Sequence, residues 1–143
     1  MRRLTSLLAA LILACSAGAQ TDPAPNLQIV PPGEVTLLQG QTAEVALPGA
    51  PSALFIKFER IVTDSRCPSN VQCVWAGEVA VLLTLTGQST GELTLRIPAS
   101  NAGSSTGDAG PYRVELKAVT PYPAAGTTPT EPNRVTVSIS PKP

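Results

Sequence analysis

"VWAGEVAVLLTLTGQSTGELTLRI", residues 74–97, decides the fold class. Trp75, Val79, Val81, Leu83 and Leu85 share one parity, and residues two apart in a strand face the same side of a sheet. Val74, Ala80 and Leu82 make the other parity apolar as well. The spacing therefore predicts a central strand over 74–86 with both faces at least partly covered. "GQSTG" (87–91) breaks the run. Beyond it, Leu93, Leu95 and Ile97 alternate with Glu92, Thr94 and Arg96, which predicts a half-buried strand over 92–97.

The same period-two pattern extends in both directions. Upstream, strands are expected at 27–30, 34–38 and 43–47, the last two flanking a hairpin-like break at "QGQT" around Gly40. A fourth spans 54–62, with Leu54, Ile56 and Phe58 on one face and Lys57 and Glu59 on the other. Its alternation slips at Arg60-Ile61-Val62, where a β-bulge accounts for two apolar residues in succession. Downstream, "PASNAGSSTGDAGP" (98–111) is rich in turn formers and predicts a long flexible loop. Strands follow at 112–120 and 134–140, separated by a second loop at 121–133.

About seven or eight short strands without a helix mean an all-β domain. The expected fold is an antiparallel β-sandwich of immunoglobulin-like architecture, or a small barrel. Cys67 and Cys73 lie too close in sequence for the long-range disulfide of true immunoglobulin domains, so that likeness is architectural only.

The ends set the compartment. Arg2 and Arg3 precede an apolar stretch over 4–14, the layout of an export signal and too short for a membrane-spanning helix. Two processing routes fit. Ala17-Gly18-Ala19 is a small-x-small cleavage site that would release a chain beginning at Gln20, whereas Ile12-Leu13-Ala14-Cys15 resembles a bacterial lipobox with Cys15 as the lipidated residue. Either route leaves Cys67 and Cys73 as the remaining pair, fit to form one disulfide in an oxidising compartment. The expected organisation is a signal peptide over 1–19, a Pro-containing tether over 20–26 and a single β-rich domain over 27–141. The location is periplasmic or extracellular, with any membrane attachment through Cys15.

Without Arg2 and Arg3, eight basic residues face ten acidic ones, with no run of like charge. Nothing in that balance points to nucleic acid or an anionic surface. The absence of histidine excludes a Ser-His-Asp hydrolase and leaves zinc or copper without its commonest ligand. Calcium lacks an Asp/Asn-rich loop. One Trp, two Tyr and two Phe make a poor supply for stacking sugars, and each is better placed in the core, Tyr122 between two prolines excepted. No cofactor or metal is expected, no enzyme, and a monomer.

Chemistry is densest at "TDSRCPSNVQCVWAGEVAV", residues 63–81. Read structurally, Cys67 and Cys73 close a loop of about seven residues, a constraint valued at roughly 2 kcal/mol by chain entropy. Pro68 and Asn70 favour the turn between them. Asp64 or Ser65 is placed to accept bonds from loop amides, and Arg66 to pair with Asp64 or Glu78. Trp75 is expected to pack beneath the loop, with Ala76-Gly77 allowing close backbone approach.

A thiol redox role fits poorly, because the spacing is Cys-x5-Cys between strands rather than Cys-x-x-Cys at a helix N-terminus. The functional rival is a small protease inhibitor that presents Arg66 before Cys67 on a rigid loop. "DSRCPSNVQCVWAGEV" together with "YRVELKAVTPYP" further downstream resembles a group of uncharacterised small exported bacterial proteins that share a DSRCP…CxWAG segment and a YxxxLxxVxPYP strand end. The resemblance implies an exported β-rich domain and carries over no catalytic residues. The expected role is a non-enzymatic envelope or secreted binding module with a protein or other envelope component as partner, using the loops 98–111 and 121–133 or the rim of the cysteine loop.

Overall fold

A computed structural model describes residues 27–29, 31–46, 52–98 and 105–143. The export signal, Cys15 and the tether lie outside the described residues. In chain order the strands are β1 (Leu27–Ile29), β2 (Gly33–Leu38), β3 (Thr42–Val45), β4 (Leu54–Asp64), β5 (Glu78–Gly87), β6 (Gly91–Pro98), β7 (Ser105–Ala109), β8 (Tyr112–Thr120) and β9 (Arg134–Pro141).

They form two open sheets, ordered β1-β3-β4-β5-β6 and β2-β9-β8-β7, so the fold is a sandwich and not a closed barrel. All pairings are antiparallel except β1 with β3. The alternating side chains meet between the sheets. Leu54, Ile56, Phe58, Val81, Leu83 and Leu95 from one sheet and Leu37, Val114, Leu116, Val137 and Ile139 from the other are buried, burial worth about 1.5–3 kcal/mol for each larger side chain.

The slip foreseen after Phe58 is real. The β4–β5 register shifts between Phe58 and Arg60 and again between Ile61 and Thr63. These irregularities let β4 run on to Asp64, so that it ends at the cysteine loop. β5 lies between β4 and β6 as expected, and Ala80, on its outer parity, is buried. It begins at Glu78, however, and not at residue 74. Gly77 takes a φ of 73°, a left-handed conformation that interrupts extended backbone.

The expected loop over 98–111 also needs correction, since Ser105–Ala109 is a strand. It pairs with Tyr112–Leu116 across a tight turn at Gly110-Pro111. Its composition, "STGDA", hides it because only Ala109 is buried. Gly107 earns its place by contact: a Cβ there would run into the side chain of Leu93 on the facing sheet. A short polar edge strand of this kind offers little to edge-to-edge aggregation. Lys142 secures it from outside. Its ammonium lies 2.9 Å from Asp108, and its hydrogen bond holds the Asp108 carboxyl below the usual carboxylate range.

Candidate functional site

One end of the sandwich gathers the segments that the sequence singled out. The cysteine loop joins β4 to β5, and the 121–133 loop joins β8 to β9 beside it. Cys67 and Cys73 are disulfide-bonded, with Cα atoms 5.9 Å apart. Between them Val71 N–H donates to the Pro68 carbonyl (3.2 Å), closing the turn at Ser69-Asn70. Below the disulfide Cys67 N–H donates to Ala76 O (3.0 Å). Ser65 N–H donates to Glu78 O (2.8 Å), while Glu78 N–H donates to Ser65 Oγ (3.1 Å). Gly77 is required here, because a Cβ would collide with the Ser65 carbonyl oxygen.

Arg66 is the centre of this end. At 7% exposure it is the one buried charged or polar residue among those described. Its Nε and Nη2 donate to the two carboxylate oxygens of Asp64 at 2.8 and 2.6 Å, the two-pronged geometry that suits a guanidinium. Nη1 donates to Val119 O (2.7 Å) and Nη2 also to Pro121 O (3.1 Å). The guanidinium carbon lies 4.6 Å from the centre of the Tyr122 ring, within cation–π range. Asp64 additionally accepts the Arg66 backbone N–H (3.2 Å).

The two loops are tied again by Asn70, whose amide donates to Ala125 O (3.0 Å) and accepts from Ala125 N–H (2.7 Å). Ser69 N–H donates to Pro123 O (3.0 Å). The two motif segments, more than 50 residues apart, thus meet in one hydrogen-bonded unit. The sequence singles out Asp64, Ser65, Arg66, Pro68 and Gly77 and offers Asp64 or Glu78 as the partner of Arg66, of which Asp64 is the one in place. It does not indicate the Arg66 bonds to Val119 and Pro121 or the Asn70–Ala125 pair. Those bonds end on backbone groups, which carry no residue signature.

One expectation is overturned here, and the side chain on which the rival reading depends is buried. Trp75 does not pack beneath the loop: it is 80% exposed, and Val74 beside it 91%. The underside is taken by the Arg66 guanidinium, whose fork reaches across to β8, and Gly77 turns the preceding residues outward. Nor is Arg66 presented to solvent. An inhibitor needs an exposed side chain to enter a protease pocket, and this one is enclosed by Asp64, Val119, Pro121 and Tyr122. Glu78, the other partner considered for Arg66, pairs instead with Arg96 (2.6 Å).

Next to Arg66 the sheets part to leave a cavity of about 230 Å³. Val79, Ile97 and Pro98 line one side, Lys117–Thr120 the other, with Arg66 and Tyr122 at its margin. Among the described residues no three His, Cys, Asp or Glu side chains converge as metal ligands. The lining is largely apolar, and the Arg66 guanidinium at its margin is engaged with Asp64, Val119 and Pro121.

Removing the disulfide by Cys67→Ser/Cys73→Ser is expected to cost about 2 kcal/mol. That lowers the melting temperature by roughly 10 °C without unfolding the protein at 25 °C, because the Arg66 and Asn70 bonds remain. Calorimetry of the two forms checks it. No protein-family model, no curated protein and no solved structure matches this chain.

Proposed function

We propose that this chain is an exported, disulfide-pinned β-domain that serves as a non-enzymatic binding module of the cell envelope or of the secreted fraction, and that it binds through the cysteine-loop end. The observation that carries the reading is the exposure of Val74 and Trp75 on a loop that is otherwise fixed. Tryptophan is enriched among the few residues that dominate binding energy. A contact surface held in place before binding loses less entropy on association. The N-terminal signal layout, a disulfide suited to an oxidising compartment and the resemblance to small exported proteins support export. Among the described residues no helix is long and apolar enough to cross a membrane.

The test has two parts. Mass spectrometry of the protein made in its own cells reads the mature N-terminus, Gln20 or an acylated Cys15, and an unprocessed Met1 would overturn export. A photo-reactive amino acid at position 75 is then compared with one at Gln88, which is exposed in the turn after β5 at the opposite end. Adducts with envelope components are expected from position 75 and not from 88. Equal labelling, or none, would refute the assignment of the surface. Trp75→Ala itself is expected to leave stability within about 0.5 kcal/mol of the parent, since the side chain contributes so little to the core.

A further inference from the structure

Resting on that reading, we propose that the surface met by the cysteine-loop end is a lipid bilayer with predominantly uncharged headgroups, into whose interfacial layer Val74 and Trp75 insert. Among the described residues six large apolar side chains are exposed, and four of them, Val71, Val74, Trp75 and Tyr122, lie on the two loops bonded together at this end. Away from the buried Arg66 and from Glu131 at the far end of the second loop, these segments carry no formal charge. No Asp, Glu, Lys or Arg occurs from Cys67 to Gly77 or from Ala118 to Thr130.

A protein partner is ordinarily met by a patch with a polar or charged rim and matching shape. A narrow loop whose leading side chains stand 80–91% clear of their neighbours suits a fluid layer, which conforms to the loop instead. Tryptophan is at home at the headgroup level, with its ring in the apolar boundary and its N–H toward water. Behind the leading residues the loop is braced from within, the amides of Cys67, Ser69 and Val71 being bonded to carbonyls of the protein.

The direction of β1 favours the same plane. Leu27 pairs with Ala43 and Ala43 with Ile56, whereas Ile29 pairs with Val45 and Val45 with Leu54. β4 runs from Leu54 toward the cysteine loop, so β1 runs away from it and Leu27 is the end of β1 nearer that loop. Ile56 to Asp64 rises by about 26 Å. Residues 16–26, fully drawn out, reach at most about 40 Å. An anchor at Cys15 therefore has the length to share one membrane surface with Trp75.

Trp75 is the only tryptophan, so its fluorescence reports on the loop directly. The purified oxidised protein is titrated with phosphatidylcholine/phosphatidylethanolamine vesicles. Expected are a blue shift of the emission, quenching by acyl-brominated lipid, and a bound fraction insensitive to added salt, because no charge takes part. Trp75→Ala and Val74→Asp, each with a melting temperature like the parent's, are expected to lower the bound fraction in co-sedimentation about tenfold.

Unchanged emission at saturating lipid overturns the proposal. So does binding that requires anionic lipid, or a blue shift that grows with protein concentration in the absence of vesicles, which would mark a second copy as the occupant. A photo-adduct at position 75 found only on an envelope protein overturns the lipid assignment and leaves the binding-module reading standing. Vesicle binding retained by Trp75→Ala and Val74→Asp would place any membrane contact elsewhere and overturn it as well.

Discussion

Arg66→Ala is expected to lower stability by about 3–5 kcal/mol, a fall of about 15 °C or more in melting temperature for a domain of this size. The substitution removes a buried cation and leaves three groups behind. Asp64 loses a two-pronged partner, and the carbonyls of Val119 and Pro121 each lose a donor. A buried acceptor left unmet costs about 1–3 kcal/mol. Part of that cost is relieved because Asp64 keeps a quarter of its side-chain surface in water, which favours the lower half of the range.

Arg66→Lys separates charge from geometry. A lysine keeps the cation but cannot span Asp64, Val119 and Pro121 at once, so a loss intermediate between parent and alanine is expected. Urea denaturation of the three proteins supplies the comparison. An Arg66→Ala protein that melts within 2 °C of the parent would show that the guanidinium does not join the loops.

The parts of this structure that were legible in the sequence share a physical cause: they are written in side chains along a continuous stretch. Residues 112–117 alternate cleanly and place β8 (Tyr112–Thr120), although its register on β9 shifts between Leu116 and Ala118 and turns Val119 inward. The slip after Phe58 and the Asp64–Arg66 pair are local for the same reason. Ser105–Ala109 was missed because an edge strand with one buried side chain needs little hydrophobic pattern, and its pairing is supplied by β8. Residues 74–77 carry an apolar pattern that continues the strand in sequence but not in space, since β5 begins at Glu78. Their backbone path is set by Gly77 and by the disulfide, and the apolar side chains face solvent. The bonds from Arg66 to β8 and the 121–133 loop lie beyond any local pattern, since they depend on how the two sheets close.

Gly77→Ala tests that closure from the backbone side, and its expected effect is at least as large as that of Arg66→Ala. Two costs combine. An alanine at a φ of 73° bears about 1–2 kcal/mol of left-handed strain. Its Cβ would also overlap the Ser65 carbonyl oxygen and lie 3.0 Å from the Cα of Arg66. Both contacts are backbone, and Ser65 is held by its bonds to Glu78, so relief requires moving the segment that positions Arg66.

Gly126→Ala is the matched control. Its φ is 77°, and nothing lies within 4 Å of an added Cβ, so it is expected to show the strain alone. In chemical denaturation Gly77→Ala should therefore exceed Gly126→Ala by about 2 kcal/mol or more. Combined with Arg66→Ala it should cost less than the sum of the two, since both disrupt one bonded unit. Equal losses at Gly77 and Gly126 would mean that Ser65 yields freely. Strict additivity with Arg66→Ala would mean that the β4–β5 connection and the Arg66 contacts hold independently.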